Sequence, residues 1–448
     1  MKTAIKIGFI VVACFGALQL IRPPIRFSPS TATEVQVPQP VRQILKKDCF
    51  SCHSDERGLA WFDEFAPAWW LVRQDILTAR NHLNFSTLGA KPAPAQRAAL
   101  FEAVNMIQLG AMPLPRFVAL HPDSRVAPEE LSILKAYLAP WSGDPKPVAT
   151  ASVSMNQTEP FQANLSAISA ELNGLPFESY FENWKPISFT DRGDNNTLRM
   201  ILGNEVAVNA AKSGNISPWP DGASFAKIAW QKAVSADGLV HPGDFVQVEF
   251  MVKDAKRYKQ TDGWGWGRWR GTELKPYGRN AQFTGECTGC HQPMHGDDHV
   301  YTLPISSAKV DGEEVLNSRA GGLPTGIPYP VLDWRAITIY VDPASHTMAT
   351  LYGNDAAVLF MRSRNPKSSQ PPGAVLALVT WHQREDPHWF GGRIPDTPES
   401  IEFVQSDANG KLSGRFFGGP SLSEQKRTSD VVARRIKFVT NLTPAWLP

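Results

Sequence analysis

Two five-residue frames carry the most specific chemistry in this sequence: Cys49-Phe-Ser-Cys52-His53 and Cys287-Thr-Gly-Cys290-His291. On one helical turn, cysteines at i and i+3 share a face and a histidine at i+4 lies beside them. This spacing offers two sulfurs to the vinyl groups of a haem and an imidazole to its iron, so CxxCH reads as a c-type haem attachment frame. A single copy would leave a zinc site or a CxxC redox pair open. Here two copies use four of the five cysteines, and only Cys14 is left over. No disulfide framework remains to explain the pairs. The expected cofactors are two covalently bound haems, with Cys49, Cys52, Cys287 and Cys290 as attachment points and His53 and His291 as iron ligands.

Elements must position these frames, and the chain is long enough to build them. Its 448 residues are 42% hydrophobic, which excludes disorder throughout and allows several cores. The formal charge of +2 gives no reason to expect a nucleic-acid partner. The 37 prolines and 14 tryptophans argue against a helical bundle or coiled coil and favour mixed or mainly β architecture. At the start, Lys2 and Lys6 precede an apolar run from Ile7 to Ile21, the layout of an export signal. Residues 1–24 are expected to be a signal anchor or signal peptide, and Cys14 only loosely fits a lipoprotein box. The body of the protein is then expected in the periplasm, tethered to the inner membrane or released after cleavage.

Past a Ser/Thr/Pro-rich linker at 25–42, the segment 43–141 carries apolar residues at helical spacing over Ala66–Leu83 and Ala95–Leu109, and Ala127-Pro-Glu-Glu opens a third helix to about Leu138. A second linker is expected at 142–175. Beyond it lies an internal repeat. Trp184, Thr197 and Gly203-Asn204-Glu205 recur as Trp334, Thr347 and Gly353-Asn354-Asp355, at a constant offset of 150. Pro220 to Trp230 returns as Pro371 to Trp381, and Val248-Glu-Phe as Ile401-Glu-Phe. Short aromatic and β-branched runs, with Trp264-Gly-Trp266 alternating at period two, make both repeats strand-dominated. The expected fold is α+β and multidomain: a helical haem domain, a first β domain at 176–306, a linker at 307–331, and a second β domain at 332–448. The second copy has no CxxCH, and where the first carries Lys227 it carries Leu378. A lysine in an apolar strand is ordinarily a snorkelling or ion-paired side chain. Its loss together with the haem frame makes Lys227 a candidate haem contact.

Two family resemblances extend this reading. Asp48 to Ser54, Phe65-Ala-Pro67, Trp70-Leu-Val72, Leu83 to Ser86, Gly110-Ala-Met-Pro-Leu114 and Leu120-His-Pro122 resemble the small haem-binding domain family of bacterial exported proteins, over nearly all of 43–140. The resemblance implies Met112 as distal ligand, with His82 and His121 as bis-histidine alternatives and Met106 as core. Trp219-Pro-Asp-Gly-Ala, Lys227, Val252 to Tyr258, Glu286 to His291 and Asp297 to Tyr301 resemble cytochrome P-460 and cytochrome c′-beta, over most of 180–305. That resemblance implies a mainly antiparallel β domain, often a homodimer, whose haem is joined covalently to the lysine at the position of Lys227. It also implies an open iron position for hydroxylamine or nitric oxide. Gln282 and Glu286 lie close to the second frame, but no distal acid or base is identified.

The combined expectation is an exported oxidoreductase or electron-transfer protein. Its second haem handles a small nitrogen-containing substrate or gas, and its first relays electrons to another redox protein. A His/Met pair fills both axial positions and suits relay, whereas an iron with one identified ligand leaves room for chemistry. The alternatives are a non-catalytic gas-binding protein and a pure electron-transfer module.

Overall fold

The computed structural model describes residues 2–28, 33–142, 165–308, 310, 314–363 and 370–447. Parts of the three expected linkers, including 143–164, lie outside the described residues. The chain divides into two compact units, 1–140 and 141–448.

The first unit is helical, with α1 at Lys2–Gln19, α2 at Gln39–Asp48, α3 at Phe50–His53, α4 at Ala68–His82, α5 at Phe85–Leu88, α6 at Ala93–Gln108, α7 at Pro115–Val118 and α8 at Pro128–Ser142. The three helices expected from periodicity are α4, α6 and α8, with ends displaced by one to four residues. Helix α2 buries Val41, Ile44, Leu45 and Asp48, the i, i+3, i+4, i+7 stripe of a helix packed on a core. Phe50 stacks on Phe85 at 5.6 Å between ring centres, which seats the short haem-frame helix on α5. The end of the linker expected at 25–42 belongs to this core: Val35 is buried and its amide donates to the Phe85 carbonyl. No helix among the described residues is long and apolar enough to cross a membrane. The last side chain of α1, Gln19, bonds both the N–H and the C=O of Ala66.

The second unit is built on one twelve-stranded antiparallel sheet. Its first half comprises β1 (Lys185–Arg192), β2 (Thr197–Gly203), α9 (Glu205–Ser213), β3 (Ser224–Val234), β4 (Val240–Lys253), β5 (Trp264–Arg270), β6 (Lys275–Pro276) and α10 (Thr284–His291). The second half repeats the plan with β7 (Arg335–Asp342), β8 (Thr347–Gly353), α11 (Asp355–Arg362), β9 (Val375–Glu385), β10 (Gly392–Ser406), β11 (Leu412–Gly418), β12 (Ser423–Gln425) and α12 (Ser429–Asn441). Equivalent residues do equivalent work. Asn204 caps α9 through the Ala207 amide and donates to the Gly222 carbonyl, while Asn354 caps α11 through Ala357 and donates to Gly373.

The repeats, expected as two domains, are parts of a single core. β4 pairs with β7, and β10 pairs back with β1, so β1-β2-β3-β4-β7-β8-β9-β10 closes into a ring. Inside it Met200, Ile228, Trp230 and Phe250 of the first repeat pack in one cluster with Met348, Val379, Trp381 and Phe403 of the second. The long strands β4 and β10 can serve two neighbours because register shifts bend the β3–β4 and β9–β10 pairs near Trp230 and Pro398. The segment 307–331, expected as linker, is likewise packed: Asn317 is buried and donates to the Pro395 carbonyl, and the Trp381 indole donates to Ala320. So is the end of the 142–175 segment, where Glu171 accepts from the Arg268 amide and Leu175 enters the core. These stretches have no helical or strand periodicity, so their polar composition resembled linker; indoles from the sheet instead bond their backbone carbonyls, Trp381 at Ala320 and Trp269 at Ser169.

Candidate functional site

Both CxxCH frames lie on short helices, and both histidines are prepared in the same way. His53 Nδ1 donates to the Leu83 carbonyl at 2.9 Å, and His291 Nδ1 donates to the His299 carbonyl at 2.7 Å. In each case the donation fixes the tautomer and leaves Nε2 as the lone-pair nitrogen, the arrangement that orients a metal-ligating imidazole. Burial lowers the pKa of both rings, that of His291 to about 4, so each stays neutral at neutral pH. The four cysteines are free thiols, with burial pushing Cys49 up to about 12 and Cys287 up to about 11. Among the described residues no three or more His, Cys, Asp or Glu side chains converge as a metal site. Two thiols and a neutral imidazole on one turn are what haem needs, so these residues fit the group the frames imply.

The carbonyl that receives His291 is held in place by an unusual turn. Asp298 and His299 both have left-handed backbones, at φ 50° and 67°, a conformation that side chains rarely adopt. Asp298 stays there because its carboxylate accepts from the Trp219 amide at 2.9 Å, from Lys253 at 2.6 Å and from the Trp264 indole at 3.3 Å. Trp219, Lys253 and Asp298 all fall in the stretches that carry the second resemblance, and their shared task emerges only in three dimensions. The Trp266 ring lies 4.5 Å from that of His291, and its indole N–H is buried without a hydrogen-bond partner. An unpaired donor of this kind is costly unless a bound group accepts from it.

Lys227 is not the lone charge on an apolar strand that the sequence suggests. It is directly opposite Glu249 on β4, and Glu249 is opposite Arg268 on β5. Lys227 forms an ion pair with Glu249, and Arg268 Nε donates to the same carboxylate at 2.6 Å. Strand alternation puts these residues, with Arg199 of β2, on the face that also carries Ile201, Phe225 and Trp266 and packs against α9 and α10. Burial alone would raise Glu249, but Lys227 and Arg268 outweigh it and hold the carboxyl far below its usual range. Burial lowers Lys227, and Arg199 and Arg268 add to that against the pull of Glu249. Three cations thus surround one carboxylate, and the lysine is the one that can give up its proton. A third of the Lys227 side chain remains accessible. Sequence reasoning missed Glu249, Arg199 and Arg268; the repeated Val248-Glu-Phe segment was the available signal for the first of them.

The second repeat explains itself by the same register. Its row reads Ala349, Leu378, Glu402 and Phe416, with Leu378 opposite Glu402 and Glu402 opposite Phe416. The retained Glu402 is paired bidentately by Arg435 of α12, at 2.5 and 2.8 Å. Helix α12 packs on β11 as α10 packs on β5, and its Val439 joins Leu378 in one apolar cluster. Where Trp266 faces His291, the second repeat has Gly414, whose missing side chain leaves room for Ile436. The slot that faces a haem frame in one half is filled by a helix in the other.

The other expected residues are placed as follows. Met112 is half-buried in a turn whose amide donates to the Met106 carbonyl at 3.1 Å. His121 has both ring nitrogens engaged, by the Phe117 carbonyl and Asp63, and His82 is half-exposed against Glu102. Glu286 accepts from the Tyr277 hydroxyl on the surface, and Gln282 is exposed.

Residues 9–140 match the family model of the haem-binding domain, and residues 178–302 match that of cytochrome P460. A comparison with curated proteins gives no match. The two matches support a haem cytochrome with haem as its cofactor, and the second ends before the second repeat begins.

Proposed function

We propose that this haem cytochrome is an exported protein with two c-type haems. One is attached through Cys49 and Cys52 with His53 and Met112 as axial ligands. The other is attached through Cys287 and Cys290 with His291 as ligand, and acts on hydroxylamine or nitric oxide. The first relays electrons to a redox protein. A haem supplies a redox iron and an open coordination position; the chain's own residues supply orientation and charge. The carrying observation is the Lys227–Glu249–Arg268 row on the sheet face shared with α10. It sets a lysine with lowered pKa beside the haem frame, ion-paired with Glu249.

In the reading favoured here, Lys227 Nζ is bonded to the haem macrocycle. Such a bond would replace one N–H of Lys227 and one C–H of the macrocycle, and would need a two-electron oxidant such as a peroxide to take up the two electrons and two protons. Mass spectrometry of denatured protein from a c-type-competent host tests this. Two haem masses, with the peptide containing Lys227 carried on the second, are expected; an unmodified Lys227 peptide overturns the bond. The Lys227–Glu249 ion pair favours a second reading, in which lysine stays charged and unbonded and the protein binds a gas without turnover. Periplasmic location, with the amino-terminal segment either kept as a membrane tether or released after cleavage, is also proposed. Gln19 on Ala66, and the Ile21 and Pro23 carbonyls that accept from the Trp70 and Trp69 indoles, support retention of that segment.

A further inference from the structure

We infer that the second repeat positions the iron-binding histidine of the first through His388 and Trp389, an inference that rests on His291 being the iron ligand. Tyr301 is the link. Its hydroxyl donates to the Cys290 carbonyl at 2.6 Å, and its ring meets that of His291 edge-on at 5.1 Å. Tyr301 therefore grips the attachment turn from outside, as the His299 carbonyl orients the imbedded ring nitrogen. Tyr301 in turn is held by the other repeat. His388 Nδ1 donates to the Tyr301 carbonyl at 2.7 Å, and the Trp389 ring packs on the Tyr301 ring at 5.5 Å.

The hairpin that presents these two side chains, between β9 and β10, is itself fixed. Asp386 accepts from the His388 amide at 2.9 Å, and the Gly391 carbonyl accepts from the Gly193 amide at 2.9 Å. Trp389 lies under the Arg192 guanidinium, 4.3 Å from its ring centre, and donates to Asp194 at 3.3 Å. Arg192 and Asp194 form a buried bidentate pair at the β1–β10 seam. Ring closure of the sheet thus delivers a rigid hairpin of the second repeat to the ligand-bearing segment of the first. A repeat with no haem frame keeps a role at the haem site as a buttress, which accounts for the shared core better than an idle duplicate does.

His388 and Trp389 are positioning residues, so the test needs readouts beyond turnover. In full-length protein, His388→Ala and Trp389→Leu should speed hydrogen exchange at the His299 and Val300 amides by up to about tenfold, the loss of one hydrogen bond. They should also shift the Fe–His stretching band and the potential of the second haem. His388→Asn, which keeps a donor near the Nδ1 position, should restore both, and exposed His382→Ala should change neither. Two haem masses with His291→Ala abolishing the band establish the ligand reading separately. If that reading fails, the exchange measurement still decides the buttress. Wild-type exchange rates, band and potential in His388→Ala and Trp389→Leu would overturn it.

Discussion

Replacing Glu249 with Gln should destabilise the second unit far more than replacing Lys227 with Leu, because the two changes leave different charges behind. Lys227→Leu copies the second repeat, and Glu249 keeps Arg268 at 2.6 Å, so a cost within about 1 kcal/mol is expected. Glu249→Gln leaves Lys227, Arg268 and Arg199 without their carboxylate. Breaking a buried pair costs about 3–5 kcal/mol. Lys227 is one-third accessible, so solvent screens part of this and about 2–3 kcal/mol remains. For a unit of this size that is a drop of about 5 °C in Tm, readable by calorimetry of the full chain at pH 7. The pH dependence has a definite sign. Glu249 is held below its usual range in the fold, so in acid the unfolded chain binds a proton that the folded one does not. Its stabilisation is complete above about pH 4.3 and is lost as pH falls further. The gap between wild type and Glu249→Gln should narrow from pH 6 to pH 3. Equal Tm values for the two variants, or a gap independent of pH, would refute the charge-row argument.

Replacing Cys49 and Cys52 with Ala should remove one haem mass and leave the calorimetric transition of the second unit unchanged, since the two frames lie in different compact units. Met112→Ala should lower the potential of the first haem and admit small ligands, read by redox titration and carbon monoxide difference spectra. His121→Ala should lower stability through its lost bonds to Asp63 and Phe117 without altering that haem's spectrum. Asp48, raised by burial to about 6, destabilises the fold as pH rises from its unfolded value of about 3.9 towards 6. Asp48→Asn should therefore raise Tm at pH 7.5 by an amount worth at most about 3 kcal/mol and have little effect at pH 3.5. Arg435→Leu should leave Glu402 without its guanidinium partner, and with Arg435 about one-third accessible the cost in the second unit's transition should be about 2–3 kcal/mol.

The haem-binding character was legible in one dimension because CxxCH is a local geometry: one helical turn sets two cysteines and a histidine together whatever surrounds it. The helices α4, α6 and α8 followed from periodicity, and the repeat from matched residues at a fixed offset, since both signals are carried by neighbours in the chain. The exchange of Lys227 for Leu378 was visible as a difference, but its meaning was not. Cross-strand register sets Glu249 and Arg268 beside the lysine from 22 and 41 residues away, and no spacing rule links residues that only pairing brings together. The same holds for α12, which fills in one repeat the slot that α10 faces in the other. Closure of the ring was equally invisible, because two short pairings, β4 with β7 and β1 with β10, decide it. Strand propensity specifies that a segment pairs, whereas burial of a shared core selects its partner. By that selection the tertiary structure turned two expected domains into one and brought His388 and Trp389 to the turn that holds His291.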